Sequence, residues 1–294
     1  MLLVAHGTIE QLDQMPGFLT EIRQGRPAPE ALIQEMTKRY EAIGGSPLLR
    51  ITRSQASLLA ERLQIPVLFG MRFGTSKLPK ALLAAAELKL DRLVTLPMAP
   101  FSVNLYVNET RRALAQLQSE GHSVGYDVVA VAPWGTHEGL VRAQRNALLS
   151  ALGGQIPSDT CIVVTAHSLP LRAIQSGDDY AEQVEAFVAA LDTALGQKTV
   201  LAYQSQGQDS IGWLGPKLSD KIDELAARGV KQIAVVPIGF LCDHVETLYD
   251  LDHEARLHAE KLGVRMLRVP ALNDAPSLID VMANLVKESL ASEA

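Results

Sequence analysis

Short apolar segments alternate with longer amphipathic segments along the whole chain. The short segments hold three to five residues each, most of them apolar. Continuous apolar runs of this length are typical of strands that are buried on both faces. The pattern predicts strands over Leu2–Ala5, Val67–Phe69, Arg92–Leu96, Val128–Ala132, Ile162–Thr165, Val200–Tyr203, Gln232–Val236 and Arg265–Arg268.

The longer segments repeat apolar residues at helical spacing. Ala56, Leu59 and Leu63, for example, fall on one face of a helix. Strands that alternate with helices in this way favour an α/β fold, in which parallel sheets are covered by helices on both faces. Helices are predicted over Pro29–Ile43, Ser54–Leu63, Leu78–Lys89, Glu109–Glu120, His137–Leu152, Tyr180–Leu195, Pro216–Arg228 and His244–Leu262.

The two halves of the chain resemble each other, which suggests a degenerate duplication. The segment LLVAHGT near the start is similar to IVVTAHSLP from Ile162, and DRLVTLPMAPFSVN from Asp91 is similar to KQIAVVPIGFLCDH from Lys231. We therefore predict two similar α/β lobes, residues 1–150 and residues 151–294. The segment GGQIPSD is the expected linker, because it is rich in turn formers.

Candidate ligand-binding positions follow from this duplication. In each half one strand ends in an Ala-His pair, at His6 and His167, and a later strand ends in a Pro, at Pro97 and Pro237. Ligands of open α/β sheets bind beyond the carboxyl ends of the strands. Two such lobes would set these four positions around one shared cleft.

Composition and charge exclude several classes of function. The chain has 294 residues, of which 47% are hydrophobic and 20% charged, as in ordinary globular proteins. Its formal net charge is −6 and no basic stripe is present, so we expect no nucleic-acid partner. The longest apolar run, Ile233–Cys242, is interrupted by Pro and Gly and is shorter than the about 20 residues that span a membrane. The N-terminus lacks the basic region and cleavage site of a signal peptide, which predicts a cytoplasmic protein without stable membrane insertion.

The two cysteines, Cys161 and Cys242, lie in apolar strand-like segments. In a cytoplasmic chain they are expected to be reduced and mostly buried thiols. An iron–sulfur cluster needs about four thiolate ligands, so the sequence predicts no such cluster.

The segment Phe240–Glu254, with the sequence FLCDHVETLYDLDHE, holds several candidate chemical groups. Asp243 is a good helix N-cap, and Glu246 follows three residues later, as in a capping box. Glu246, Asp250 and Glu254 recur at every fourth position, so they would stack along one helix face. Three such carboxylates suit a divalent cation with a His nearby, but they are equally compatible with a solvated acidic surface.

His167 follows the apolar run Ile162–Thr165 and precedes the turn residues Ser168 and Pro170. A neutral imidazole at this point can bind a metal or accept a proton. Its position alone fits a hydrogen-bonded structural His as well, although the matching strand of the other lobe also ends in His6. The chain contains no phosphate-binding loop, dinucleotide fingerprint or serine-hydrolase elbow, which counts against those classes of enzyme.

Four linked blocks resemble the ferrochelatases in order and spacing. They are YEAIGGSPL from Tyr40, TAHSLP followed by GDDYAEQV, YQSQGQDSIGWLGP, and PIGFLCDHVETLYDLDHE. The resemblance covers nearly the whole chain and implies two flavodoxin-like (Rossmann-like) lobes that enclose a porphyrin cleft. It also implies insertion of ferrous iron into a porphyrin, with His167 and Glu246 facing each other across the tetrapyrrole. By the same resemblance, Asp250 and Glu254 form the outer part of a metal path.

The N-terminal segment EIRQGRPAPEALIQEMTKRYEAIGG is similar to the short family branch that acts on coproporphyrin III, although protoporphyrin IX remains an alternative. Coproporphyrin carries more carboxylates than protoporphyrin, and arginines suit them through charge-assisted hydrogen bonds. His6 stands where this branch commonly has a Tyr that ligates the product iron, and imidazole is also an iron ligand. The residues that the resemblance assigns to porphyrin binding are His6, Arg23, Arg39, Tyr40, Ser46, Tyr106 and Trp213.

Two other functions remain open. The start LLVAHGT also resembles the small sirohydrochlorin chelatases, which suggests cobalt or nickel insertion into a sirohydrochlorin-like ring. A haem-binding or haem-delivery protein without catalysis is the second alternative, but a carrier has no need of the acidic row. We expect no tightly bound cofactor, with Fe²⁺ as a substrate. The expected partners are porphyrin, ferrous iron and a downstream haem-handling enzyme, and the chain is expected to be a monomer.

Overall fold

A computed structural model describes residues 1–207 and 212–291 of the chain. All eight predicted strands are present, and they form two four-stranded parallel sheets flanked by helices, which confirms the predicted fold class. The strands are β1 (Leu2–Thr8), β2 (Leu68–Gly74), β3 (Arg92–Pro97), β4 (Asp127–Ala130), β5 (Thr160–His167), β6 (Val200–Gln204), β7 (Gln232–Pro237) and β8 (Arg265–Arg268).

Helices connect the strands as the periodicity predicts, and three further helices, α1, α7 and α12, lie outside the predicted segments. A short 3₁₀ turn over Leu12–Gln14 precedes α1, and a π-helical segment over Asp250–Ala255 separates α10 from α11. The α-helices of the described residues are α1 (Met15–Ile22), α2 (Glu30–Ala42), α3 (Leu48–Leu63), α4 (Leu78–Glu87), α5 (Val103–Ser119), α6 (Glu138–Ala151), α7 (Leu171–Gln175), α8 (Tyr180–Leu195), α9 (Leu218–Ala227), α10 (Val245–Leu248), α11 (Arg256–Lys261) and α12 (Pro276–Ala291).

The two sheets share one topology, which supports the predicted duplication. Their strand orders are β2-β1-β3-β4 and β6-β5-β7-β8. Val4 of β1 lies opposite Pro97 of β3, and Thr165 of β5 lies opposite Pro237 of β7. Since His6 lies two positions after Val4 and His167 lies two positions after Thr165, the two histidines occupy matching places in the two sheets.

The chain forms two compact units that differ from the predicted division at residues 150 and 151. The first unit comprises Met1–Trp134 and the chain from Asp274 onward, and the second comprises Gly135–Asn273. Helix α6 belongs to the second unit because it packs on α8, where Arg145 Nε donates to the Ala194 carbonyl at 2.9 Å.

The C-terminal helix α12 returns to the first unit. It packs against α3 and β3, where its apolar face is buried. Two polar contacts accompany this packing: Ser54 Oγ donates to Asp274 Oδ2 at 2.6 Å, and Arg62 pairs with Asp280 at 2.7 Å. Burial of a helix face, which sequence order does not reveal, therefore decides which unit the C-terminus joins.

Each unit has its own apolar core between sheet and helices. In the first unit the fully buried Leu2, Leu82 and Leu93 belong to one cluster, and in the second Val163 and Ile233 belong to another. Burial of whole aliphatic side chains contributes about 1.5–3 kcal/mol each. None of the described helices is both long and apolar enough to cross a membrane.

Candidate functional site

His167 is the last residue of β5, and its ring orientation is set by the backbone. The Nδ1 atom contacts the carbonyl oxygen of Ser168, which can only accept a hydrogen bond. Nδ1 therefore carries the proton, and in the neutral ring Nε2 presents a lone pair. From the other side, the buried Tyr180 hydroxyl donates to the His167 carbonyl at 2.9 Å. Burial raises the pKa of this phenol, so it stays a hydrogen-bond donor.

Glu246 lies in the first turn of α10, after the loop that follows β7. Its Oε2 atom is 3.5 Å from His167 Nε2. The two side chains remain 32% and 30% exposed, although the Oε2 atom that faces His167 is itself buried. The pair forms because β5 and β7 are adjacent parallel strands, whose carboxyl ends lie side by side.

A second imidazole points at the same carboxylate oxygen. His244 Nε2 is 3.8 Å from Glu246 Oε2, and its Nδ1 is 3.1 Å from the Cys242 carbonyl. Burial works to lower the pKa of His244, but the hydrogen bond and charge of Glu246, together with the Cys242 carbonyl, outweigh it and raise the pKa. The carboxylate thus favours a proton on this ring.

The geometry of this group suits transfer of positive charge. A lone pair of neutral His167 and an acceptor oxygen of Glu246 face each other at 3.5 Å. Two such atoms repel unless a proton or a cation lies between them. The arrangement can therefore take up a proton or help bind a divalent metal ion, and His244 offers a second place for a proton.

Strand ends and loops of the second unit support this pair. Gln204, beside His167 in the sheet, donates through Nε2 to the Glu246 carbonyl at 2.7 Å. Ser205 follows it and donates to Asp250 Oδ2 at 2.5 Å. The Phe240 ring lies 6.3 Å from the His167 ring and 4.9 Å from the His244 ring, between centroids. Hydrogen bonds from the last residue of β6 and from the residue after it thus connect to Glu246 and Asp250.

The single helix predicted over His244–Leu262 is divided in the structure, which corrects that prediction. The amides of both His253 and Glu254 lie 3.0 Å from the Tyr249 carbonyl, and the bond from Glu254 is the i to i−5 bond of a π-helix. Spacing rules derived from regular α-helices cannot detect such a widened turn, because its cause is the local backbone hydrogen bonding.

The predicted carboxylate row begins beside His167 and ends in solvent. Asp250 is half-buried, whereas Glu254 is exposed. Within residues 1–207 and 212–291, no group of three or more His, Cys, Asp or Glu side chains is arranged to hold a metal ion. The row is therefore no preformed chelating cluster, and its part in metal handling stays a prediction.

The helix N-cap is His244 rather than the predicted Asp243. His244 has extended backbone angles, and its amide donates to Thr247 Oγ1 at 3.0 Å. Asp243 instead accepts hydrogen bonds from Arg268 and Asn273. Tertiary partners of Asp243 therefore displace the N-cap by one residue.

The matching place in the first unit holds His6, which is exposed and lies within β1, two positions before the strand ends at Thr8. Its Nδ1 lies 3.4 Å from the hydroxyl of the buried Tyr106, a residue of α5. The His6 ring meets the edge of Phe73 at 5.0 Å, and the Arg72 guanidinium lies 4.8 Å from the same aromatic ring. The structure thus brings together two of the residues predicted to bind porphyrin.

The other predicted porphyrin-binding residues of the first unit lie just after α1, on α2 and in the loop before α3. Arg23 follows α1 and is half-buried. Arg39 pairs with Glu35 at 2.8 Å on α2. The buried Tyr40 shares a hydrogen bond of 3.0 Å with Thr8 Oγ1. Ser46 Oγ accepts from the Leu48 amide at 3.4 Å, as in a turn before a helix.

Trp213 forms an isolated antiparallel bridge with Pro170, shortly after His167. Its indole ring packs so closely on Gly207 that a Cβ there would lie 2.7 Å from Trp213 Cζ2. The indole Nε1 is buried and has no hydrogen-bond partner among the residues that the structure describes. Residues 208–211 of the YQSQGQDSIGWLGP block lie outside the described residues.

Comparison with known proteins decides the family. The ferrochelatase family model matches residues 1–290. The chain belongs to the ferrochelatase family. It is therefore an enzyme of this class, one that inserts a metal into a porphyrin in haem biosynthesis, and the resemblance seen in the sequence is confirmed.

Individual relatives of this ferrochelatase agree. The ferrochelatase of Acidobacterium capsulatum is 32% identical and aligns over 99% of this chain and 94% of its own. The coproporphyrin III ferrochelatase of Geobacillus kaustophilus is 33% identical over 100% and 96% of the two chains. Among solved structures, SirB from Bacillus subtilis with Fe³⁺ has a TM-score of 0.63 at 13% identity, covering 99% of this chain and 95% of its own. At that identity the likeness shows a shared fold alone.

Sequence reasoning about this ferrochelatase missed the residues that surround its predicted pair. His244, Gln204 and Tyr180 all contact His167 or Glu246, yet none was singled out. A signal existed for His244, which stands two positions before Glu246 in the DHVETL block. Gln204 and Tyr180 stand in the YQSQGQDSIGWLGP and GDDYAEQV blocks, but only strand pairing and helix packing bring them to the site.

Proposed function

We propose that this ferrochelatase inserts ferrous iron into coproporphyrin III, with His167 and Glu246 as its catalytic residues. The observation that carries the proposal is the 3.5 Å separation between His167 Nε2 and Glu246 Oε2, with Nδ1 of the same ring held by a carbonyl. Relatives named coproporphyrin III ferrochelatase support the choice of porphyrin. Protoporphyrin IX remains the competing substrate, because other relatives carry only the name ferrochelatase.

The reaction requires two pyrrole protons to leave as one Fe²⁺ enters, so charge is conserved when both protons reach the protein or solvent. His167 Nε2 accepts a proton from the porphyrin as a pyrrole N–H bond breaks. Glu246 then stabilises the imidazolium and offers an oxygen to the incoming iron. His244, whose pKa is raised, passes a proton onward. Binding energy from the rest of the macrocycle can distort the ring, worth about 1–5 kcal/mol of strain.

The first unit supplies the groups that would recognise the porphyrin substituents. Arg23 and Arg39 provide cationic partners for propionate groups, and Tyr40 and Ser46 provide hydroxyls. Arg39 already pairs with Glu35, whose side chain is 56% exposed, while Arg39 itself is 22% exposed. Because water reaches the Glu35 carboxylate, a propionate could replace it at modest cost. Four substrate carboxylates would use these groups more fully than two.

His6 is proposed to ligate the iron of the product. The Tyr106 hydroxyl at 3.4 Å from Nδ1 helps set the ring orientation, and imidazole Nε2 is an established iron ligand in haem proteins. Trp213 would contribute its half-buried indole to the face of the macrocycle. Asp250 and Glu254 would bind iron in turn on its way to Glu246. The proposed reaction needs no resident cofactor.

The test is an anaerobic insertion assay that follows the absorption spectrum of the porphyrin. Coproporphyrin III, protoporphyrin IX and sirohydrochlorin are offered with Fe²⁺, and sirohydrochlorin also with Co²⁺ and Ni²⁺. We expect turnover of coproporphyrin III well above the others. Faster turnover of protoporphyrin IX would overturn the substrate choice, and faster turnover of sirohydrochlorin with Co²⁺ or Ni²⁺ would favour the cobalt or nickel chelatase. Tight binding without turnover of any pair would favour a haem carrier.

The catalytic assignment is tested in the same assay with His167→Ala. Iron insertion should be abolished while porphyrin binding, measured by fluorescence quenching, stays largely intact. His258→Ala is a matched control, because this exposed His of the same unit pairs only weakly in water with Asp223, at 2.8 Å. Wild-type turnover by His167→Ala would show that the assignment is wrong.

A further inference from the structure

One arginine connects the two ends of the turn that carries Glu246, by which we mean residues 243–252. Arg268 is the last residue of β8, and only 11% of its side chain is exposed. From the structure we infer that Arg268 is a positioning residue for metal insertion, which holds Glu246 in place by binding Asp243 and Asp252 at once. This inference rests on the proposed role of Glu246.

The contacts are directional and use separate nitrogens of the guanidinium. Its Nε donates to Asp252 Oδ1 and Oδ2, both at 2.9 Å, and its Nη1 donates to Asp243 Oδ1 at 2.7 Å. Asp243 lies three residues before Glu246, and Asp252 lies six residues after it in the π-helical segment. The guanidinium therefore spans the whole turn in which Glu246 sits.

Asp243 in turn is tied to the surrounding loop. Its Oδ1 also accepts from Thr247 Oγ1 at 3.1 Å, and its Oδ2 accepts from Asn273 Nδ2 at 2.8 Å. Its amide donates back to Asn273 Oδ1 at 2.7 Å. Thr247 follows Glu246 directly, so a displacement of Asp243 would reach Glu246 through its neighbour.

Charge makes this connection dependent on arginine. The side chains of Asp243 and Asp252 are only 13% and 28% exposed, so one guanidinium offsets two carboxylates that water reaches poorly. Burial opposes the charge of Arg268, yet hydrogen bonds and the charges of both aspartates keep its pKa raised. A lysine ammonium is a single point that cannot reproduce the flat, two-sided fork. Without it, the carboxylates repel each other and the turn opens.

The expected consequence concerns turnover rather than porphyrin affinity. Arg268 reaches the reacting atoms only through Glu246, so its loss should move the carboxylate relative to His167 Nε2. Catalytic groups tolerate displacements of about 0.5 Å, and 1 Å can cost about 100-fold in rate. We therefore expect Arg268→Lys to lower kcat about 10-fold or more while the porphyrin Kd changes less than about twofold.

The experiment compares Arg268→Lys with Arg265→Ala, a control at an exposed position on the same strand. Both are assayed for kcat and KM with coproporphyrin III and Fe²⁺, well below the melting temperature of each variant. If Arg268→Lys does not fold, Asp252→Asn replaces it in the experiment, because this variant keeps the size of the side chain and weakens the contact between Arg268 and residue 252. It should show the same loss of kcat at unchanged porphyrin Kd, and unchanged kcat there would overturn the inference.

A double-mutant cycle with Glu246→Asp tests whether Arg268 acts through Glu246. The two changes should be non-additive, so that the double variant is little slower than Glu246→Asp alone. Additive losses, or wild-type kcat in Arg268→Lys, would overturn the inference. If His167→Ala loses activity, the proposed function stands whether the losses in the cycle are additive or not. Failure of the inference about Arg268 can therefore be distinguished from failure of the proposed function.

Discussion

Gly239 lies where the turn after β7 crosses the backbone of β5 beside His167. Its amide is 3.4 Å from the Thr165 carbonyl. A Cβ built on Gly239 would lie 3.2 Å from Ala166 Cα and 3.3 Å from the His167 nitrogen. Optimal contacts between such atoms are about 3.5–4.0 Å, so Gly239→Ala would have to separate the turn from the strand by about 0.5 Å.

Separating the turn from the strand should lower both the stability of the protein and its kcat. Overpacking of this kind destabilises by about 1–3 kcal/mol, and the loss of glycine entropy in the unfolded chain returns about 0.4–1 kcal/mol. We expect a net loss of about 1–2 kcal/mol and a melting temperature lower by several degrees. Displacement of His167 by about 0.5 Å should lower kcat about 10-fold while the porphyrin KM changes little.

The assay is anaerobic iron insertion at about 25 °C, combined with thermal unfolding followed by circular dichroism. Gly125→Ala is the matched control, since a Cβ at Gly125 would meet nothing within 4 Å. Its kcat should match that of the wild type. If Gly239→Ala also keeps the wild-type kcat and melting temperature, the turn yields without moving His167, and the reasoning from the close approach is refuted.

Three further outcomes are expected. Gly7→Ala places a Cβ 2.0 Å from the Phe73 carbonyl oxygen at a φ of +108°, so denaturant unfolding should show a loss of about 3 kcal/mol or more, and a change under about 1 kcal/mol would contradict this. Burial raises the pKa of Tyr126 from 10.0 to about 12, so its stabilising effect is complete below pH 10 and is lost as the pH rises toward 12. Tyr126→Phe also loses the hydrogen bond to the Leu82 carbonyl at 2.8 Å. When the pH is raised from about 9 to 11, however, the free energy of unfolding of this variant should fall by about 1 kcal/mol less than that of the wild type. Equal falls in urea titrations at the two pH values would refute the assignment. Glu254→Gln should raise the Fe²⁺ concentration for half-maximal rate, whereas an unchanged value would identify a solvated carboxylate with no part in metal delivery.

Local pattern was sufficient for most of the secondary structure. The predicted limits of Arg265–Arg268 and Tyr180–Leu195 agree with β8 and α8 at both ends. These elements end at strong local signals: α8, for instance, is followed by Gly196, which has a φ of +69° and closes the helix. Buried parallel strands are also easy to recognise, because both of their faces must be apolar.

Local pattern failed where distant groups compete with it. The helix start moved from Asp243 to His244 because Arg268 and Asn273 bind the Asp243 carboxylate. Helix α12 joined the first unit, although it is the last element of the chain, because its apolar face packs on α3. Such outcomes depend on partners 20 or more residues away, which a spacing rule cannot weigh.

The catalytic candidates show the same division. The chemistry of His167 and Glu246, and their places after two strands, could be read from the linked sequence blocks and the resemblance that they carry. The 3.5 Å separation of their facing atoms could not, because it follows from the pairing of β5 with β7 and from the bond of Gln204 to the Glu246 carbonyl. Sequence order determines which residues each strand end presents, and the packing of strands far apart along the chain decides which of those ends meet.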